Sequence, residues 1–166
     1  NGGIYVGSDK SDTSLTLTNA SVDATNSQVA QNLDTIVETL SQYQPFQNIN
    51  VDAFSDLAVA LYGTTQDTLA LNNSTVTGDI GVINEKGQTN LSFTNNSVVN
   101  GNVTLDGNST NTVLVDNSTI NGDLNASQNS GDTTITLQNG ANVDGNITTG
   151  AGDDTVVLVN DSHVTR

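Results

Sequence analysis

A chain of 166 residues is long enough for one domain with a hydrophobic core, but three Phe, three Tyr and no Trp or Met leave it short of the side chains that fill a compact globule. Three Lys and Arg against eighteen Asp and Glu give a formal net charge of -15, which argues against nucleic acid or an anionic membrane surface as a partner, since both require clustered bases. The absence of Cys removes disulfides and thiolate metal sites, and no apolar run approaches the roughly 18 residues of a membrane span. The acidity itself serves solubility and mutual repulsion.

The first predicted element lies in residues 1–24, where "DTSLTLTNASV" alternates apolar and polar positions and then breaks on Asn and Ser, the signal of a short strand ended by a turn. The pattern is interrupted at once. In residues 25–64 the apolar positions Val29, Leu33, Ile36, Val37 and Leu40, and then Val51, Phe54, Leu57, Ala58 and Leu61, follow helical spacing. Thr25 with Gln28 resembles a capping box, Pro45 ends the first segment, Asn50 can cap the second, and Gly63 suits its C-terminus. This predicts an inserted α-helical hairpin. Tyr43, Phe46, Phe54 and Tyr62, four of the six aromatics, fall within it and are the candidate binding residues. A buttress over the first coils is the structural role open to the same hairpin.

Residues 65–166 repeat the opening phrase. Aligned on their second apolar residue, the copies give Leu17, Leu71, Phe93, Val115, Leu137 and Val159, with a spacing of 22 from Leu71 onward. A parallel apolar column runs two residues earlier, through Leu15, Leu69, Leu91, Val113, Ile135 and Val157. Two residues later stand Asn19, Asn73, Asn95, Asn117 and Asn139, closed by Asp161. A Gly column follows at Gly78, Gly101, Gly122 and Gly145, each before Asp or Asn and then an aliphatic residue. A period near 22 made of strands and corners, without a leucine-rich consensus, predicts an all-β parallel β-helix: one unit per coil, equivalent residues stacked about 4.8 Å apart, and aliphatic columns inside. Asn accepts the left-handed conformation of a tight corner, and its amide can donate to one coil while accepting from the other, so the Asn column is read as a structural ladder.

Chemistry is sparse. His163, the sole histidine, follows Asp161 and Ser162, but neighbours on a strand point to opposite faces and make no relay by themselves. Lys86 is the one candidate base for a lyase, and the expectation is that the chain is not an enzyme. No cofactor is expected, with Ca²⁺ the one metal worth weighing: "GAGDDTVVL" matches a single glycine- and aspartate-rich nonapeptide, and Asp132, one period before Asp154, would stack beside it.

The phrases "NSTVTGDI", "NNSVVNGNV", "NSTINGDL" and "GANVDGNI", with "GDDTVVLVNDS", resemble the β-helical passenger domains of Gram-negative autotransporters, pertactin-like and especially the self-associating AIDA type. The resemblance covers residues 12–23 and 66–166. It implies a right-handed helix of three strand faces, export through the outer membrane and display at the cell surface, with which the lack of Cys agrees. The start at "NGGIYVG" and the half-coil before Arg166 suggest a piece of a larger precursor. The expected role is adhesion or self-association, with a second copy, a host-surface protein or a glycan as partner. A structural stalk or chaperone segment, and a glycan-acting β-helix enzyme, are the alternatives.

Overall fold

The computed structural model describes residues 3–24 and 57–166. The chain winds through six levels, each contributing one strand to each of three sheets. The levels are β1 (Ile4–Ser8), β2 (Thr13–Thr18) and β3 (Ser21–Asp23); β4 (Leu57–Gly63), β5 (Gln66–Asn72) and β6 (Thr75–Thr77); β7 (Asp79–Asn84), β8 (Gln88–Thr94) and β9 (Val98–Asn100). They continue as β10 (Val103–Gly107), β11 (Thr110–Asp116) and β12 (Thr119–Ile120); β13 (Leu124–Asn129), β14 (Thr133–Gln138) and β15 (Asn142–Val143); β16 (Ile147–Thr148), β17 (Thr155–Leu158) and β18 (His163–Val164). The first sheet runs β1-β4-β7-β10-β13-β16, the second β2-β5-β8-β11-β14-β17 and the third β3-β6-β9-β12-β15-β18, every pair parallel. The expected parallel solenoid, one repeat of the sequence to each level, is therefore the fold.

The register explains the residue choice. Leu69, Leu91, Val113 and Ile135 pair in succession, as do Leu71, Phe93, Val115 and Leu137. From the third sheet Val76, Val99, Ile120 and Val143 join them, and from the first Ile80, Val103 and Leu124, all at most 1% exposed except Leu91 at 2%. A shaft lined from three sides has room for one aliphatic side chain per strand position, and Phe93 is its single buried aromatic among the described residues. Leu17 and Leu71 are register partners on neighbouring levels. The segment 25–56 is therefore extra chain within a coil of otherwise ordinary length.

Two expectations change. Leu57–Gly63 is a strand, not the end of a helix, and it pairs with β1 on one side and β7 on the other. Five successive residues, Leu57, Ala58, Val59, Ala60 and Leu61, are buried. A strand apolar on both faces has no alternation to distinguish it from a helix. The remainder of the expected hairpin, residues 25–56, lies outside the described residues. At the sixth level Leu137 pairs with Leu158 and Ile135 with Val156, so Val159 and Val157 are each one residue out of column. The corner feeding β17 is short, and the step from Leu137 to Leu158 is 21.

Candidate functional site

Three polar columns run parallel to the shaft. The first sits where the second sheet turns into the third. Asn19, Asn73, Asn95, Asn117 and Asn139 all adopt left-handed backbone conformations, with φ of 50, 47, 56, 46 and 56°, a region that costs other L-residues about 1–2 kcal/mol. The sixth member is Asn160 (φ 53°), not Asp161, because of the same one-residue slip; Asp161 occupies the next corner position at φ 60°. The amides are exposed and bond in one direction, each donating to the preceding level. Asn73 Nδ2 donates to Asn19 Oδ1 at 2.7 Å and Asn160 Nδ2 to Asn139 Oδ1 at 3.2 Å. The intermediate links use a neighbour of the column residue: Asn95 donates to Asn72 at 2.9 Å, Asn117 to Asn96 at 3.3 Å and Asn139 to Asp116 at 2.8 Å. Asp116 also accepts from Gln138 Nε2, and the bonds from Asn139 and Gln138 hold its carboxyl below the usual range.

The second column, missed in the sequence, is the serine that follows the corner. Ser74, Ser97 and Ser118 are buried; Ala20 N–H donates to Ser74 Oγ, Ser74 N–H to Ser97 Oγ and Ser97 N–H to Ser118 Oγ at 3.1–3.2 Å. Each Oγ in turn donates to a carbonyl at its own corner. The signal was the Ser at one offset in "NNST", "NNSV" and "DNST". At the opposite corner the Asp or Asn after each Gly does similar work: Asp79, Asn102 and Asp123 accept from the backbone N–H of Asn102, Asp123 and Asn146 at 2.7–2.8 Å.

The third column lies inside. Thr13, Asp67, Thr89, Asn111 and Thr133 are successive register partners and all are buried. Thr13 Oγ1 donates to Asp67 Oδ1 at 2.5 Å, and Asn111 Nδ2 donates to Thr133 Oγ1 at 3.3 Å. Between these pairs Asp67 Oδ2 and Thr89 Oγ1, with Thr65 Oγ1 nearby in sequence, have no hydrogen-bond partner among the described residues. Burial drives the Asp67 carboxyl up to about 6; the Thr13 bond opposes this and the Asp12 charge adds to it. Glu85 and Asp106 are also raised, each mainly by burial.

Of the proposed binding residues only Tyr62 is among the described residues. Tyr43, Phe46 and Phe54 lie outside the described residues. Tyr62 is half-buried on β4 across from Gly7, where any Cβ would overlap the Tyr62 ring. Asp132 and Asp154 are offset by the shortened last step: Asp132 Oδ1 accepts from Asp153 N–H and Asp154 Oδ1 from Thr133 N–H, each at 2.8 Å. Both carboxylates therefore serve as backbone acceptors between levels five and six. Among the described residues no three His, Asp or Glu side chains are grouped to hold a metal. His163 Nδ1 lies 3.4 Å from the Asp161 carbonyl oxygen on an exposed strand, and Lys86 sits at the corner where Asn84 Oδ1 receives its N–H. No family model, curated protein or solved structure matches the chain.

Proposed function

We propose that this solenoid is a cell-surface module of adhesion or self-association, built as a β-helical passenger of the autotransporter type, wound right-handed as parallel crossovers favour and acting outside the cell. The observation that carries the reading is the outer face of the second sheet. Ser14, Thr68, Asn90, Thr112, Thr134 and Thr155 stack in one register column, a hydroxyl or amide at every level. A face with such groups about 4.8 Å apart meets a like face at many weak hydrogen bonds at once, so affinity grows with the number of levels engaged. The AIDA-like phrases support the same reading, and the Cys-free sequence fits export.

The test is velocity sedimentation over a concentration series, together with aggregation of cells displaying the chain. Wild type should associate side by side and clump cells, while a chain carrying Thr68→Glu, Asn90→Glu and Thr112→Glu should do neither. A wild-type chain that stays monomeric at high concentration and leaves cells dispersed refutes the reading.

A further inference from the structure

Levels two and three form a unit that levels four and five repeat. Gly63, Thr65, Asp67, Gly87 and Thr89 recur 44 residues later as Gly107, Ser109, Asn111, Gly131 and Thr133, and Asn84 recurs as Asn129. The corner bonds recur with the residues. Asn84 Nδ2 donates to the carbonyls of Thr65 and Gln88 at 2.8 and 3.1 Å, and Asn129 Nδ2 to those of Ser109 and Gly131 at 2.9 and 2.7 Å. Gly87 and Gly131 leave room for the carbonyls of Thr65 and Ser109, since a Cβ there would lie 1.7 and 2.4 Å from those oxygens.

The two units differ in how their inner polar groups are satisfied. In the upper one Ser109 Oγ donates to Asn111 Oδ1 at 2.7 Å and Asn111 Nδ2 to Thr133 Oγ1 at 3.3 Å, so hydroxyl, amide and hydroxyl close on one another. These bonds place the three positions within reach of each other. In the lower unit the same positions hold Thr65 Oγ1, Asp67 Oδ2 and Thr89 Oγ1, three buried oxygens with no hydrogen-bond partner among the described residues. Asp67 Oδ1 is taken by Thr13 Oγ1. Asp67 and Thr89 are wholly buried. A Cβ on Gly63 would lie 2.6 Å from Asp67 Oδ1 and 3.1 Å from Oδ2, so glycine keeps a side chain away from the carboxyl. Carboxyl in place of amide removes the one N–H group that joined the set and adds an acid. Buried oxygens left in this way call for a bound water or ion. Burial alone drives the carboxyl toward its neutral form, whereas a cation holds it ionised.

We propose that Thr65, Asp67 and Thr89 hold one small monovalent cation, of the size and hardness of Na⁺, inside the shaft between levels two and three. Hard cations take oxygen ligands, one carboxylate balances one charge, and the two hydroxyl oxygens supply further lone pairs. A divalent ion would need another carboxylate. Asp12, whose charge also acts on Asp67, is exposed and accepts from Gln66 N–H. The net charge of -15 concentrates cations around the chain. The site lies inside the shaft, so it is independent of the outer face that carries side-by-side pairing.

The test is urea denaturation of the full chain at about pH 7.5 and a constant ionic strength of about 0.2 M, with Na⁺ exchanged stepwise for tetramethylammonium, which is too large for the site. A ligand that binds only the folded chain multiplies the folded-to-unfolded ratio by 1 + [L]/Kd, so the ratio should rise with Na⁺ and approach a tenfold gain per tenfold of Na⁺ as the site fills. Asp67→Asn should be indifferent to the exchange, and Thr89→Val should need more Na⁺ for the same gain. Each variant is compared with itself across the series, so its own stability does not enter. In tetramethylammonium alone the buried charge is uncompensated and Asp67→Asn is the more stable chain; Na⁺ narrows that difference. Asn111→Asp rebuilds the lower set of oxygens in the upper unit and should steepen the gain. No response to Na⁺, which leaves a water or a proton on the three oxygens, would overturn the proposal, and so would an equal response in Asp67→Asn, which is screening at the surface. Association through the outer faces decides neither outcome. The triple face variant should keep the Na⁺ response of wild type, so failure of face pairing and failure of cation binding are separately visible.

Discussion

Asp67→Asn converts the buried polar position of the second level into a copy of the fourth, where Asn111 stands in the same column. In the folded chain the carboxyl is raised from 3.8 to about 6 by burial, about two units at 1.36 kcal/mol each, or about 3 kcal/mol of penalty on the charged form. The folded state thus holds the proton more tightly than the unfolded chain. The contribution of Asp67 to stability is intact below about pH 4, is lost as pH rises from about 4 to about 6, and stays lost above that. Asn carries no charge to desolvate, keeps the acceptor for Thr13 Oγ1, and supplies a donor toward Thr89 Oγ1, as Asn111 Nδ2 does to Thr133 Oγ1. Chemical denaturation followed by far-ultraviolet circular dichroism from pH 3.5 to 7.5 should show the variant more stable by about 3 kcal/mol at pH 7, with the gain shrinking steadily toward pH 4. A gain that does not vary with pH, or a loss at pH 7, would refute the assignment of Asp67 as a carboxyl strained by burial.

Four further outcomes follow from the same geometry. Asn139→Ala should cost about 1–2 kcal/mol in denaturant titration because Ala resists φ 56°, while Asn139→Gly recovers most of the loss. Both variants should move the Asp116 carboxyl upward in a nuclear magnetic resonance titration, since both remove the Asn139 amide. Gly87→Ala would drive a Cβ into the Thr65 carbonyl oxygen and should cost about 3 kcal/mol or more in thermal unfolding. Gly140→Ala meets nothing within 4 Å and should cost only the left-handed strain at φ 73°, about 1 kcal/mol. Phe93→Ala removes the one buried aromatic side chain among the described residues and should cost about 3–5 kcal/mol by the same measurement, with Phe93→Leu recovering most of it because Leu71 and Leu137 fill that column elsewhere.

Where a residue has one inward partner per level and polar neighbours on either side, its place was legible: Leu71, Phe93, Val115 and Leu137 fell into column from spacing alone. "LAVAL" at 57–61 and "VVLV" at 156–159 hid theirs, because each run is apolar at every position and fits either a different period or a register one residue away equally well. Asn160 and Asp161 both tolerate left-handed backbone, so the corner could not correct the slip. The inward direction of Asp67 was present in the sequence, two residues before Leu69 in strict alternation. Its burial cost was not, since that depends on Thr13 and Thr89 of other levels. Corner roles such as those of Ser74, Ser97 and Ser118 needed the levels above and below to be in place first.

Chain length at the vertex between the third and first sheets is uncoupled from the winding around it. Val76 to Ile80, Val99 to Val103, Ile120 to Leu124 and Val143 to Ile147 are each four residues apart there, yet between Ala24 and Leu57 the same vertex admits the whole of segment 25–56, and Val22 still pairs with Val76 and Val59 with Ile80. Natural variation can lengthen or prune the molecule there without renegotiating its interior. The same vertex is where a foreign peptide, an epitope or a small folded cargo can be grafted for presentation at chosen heights along the shaft.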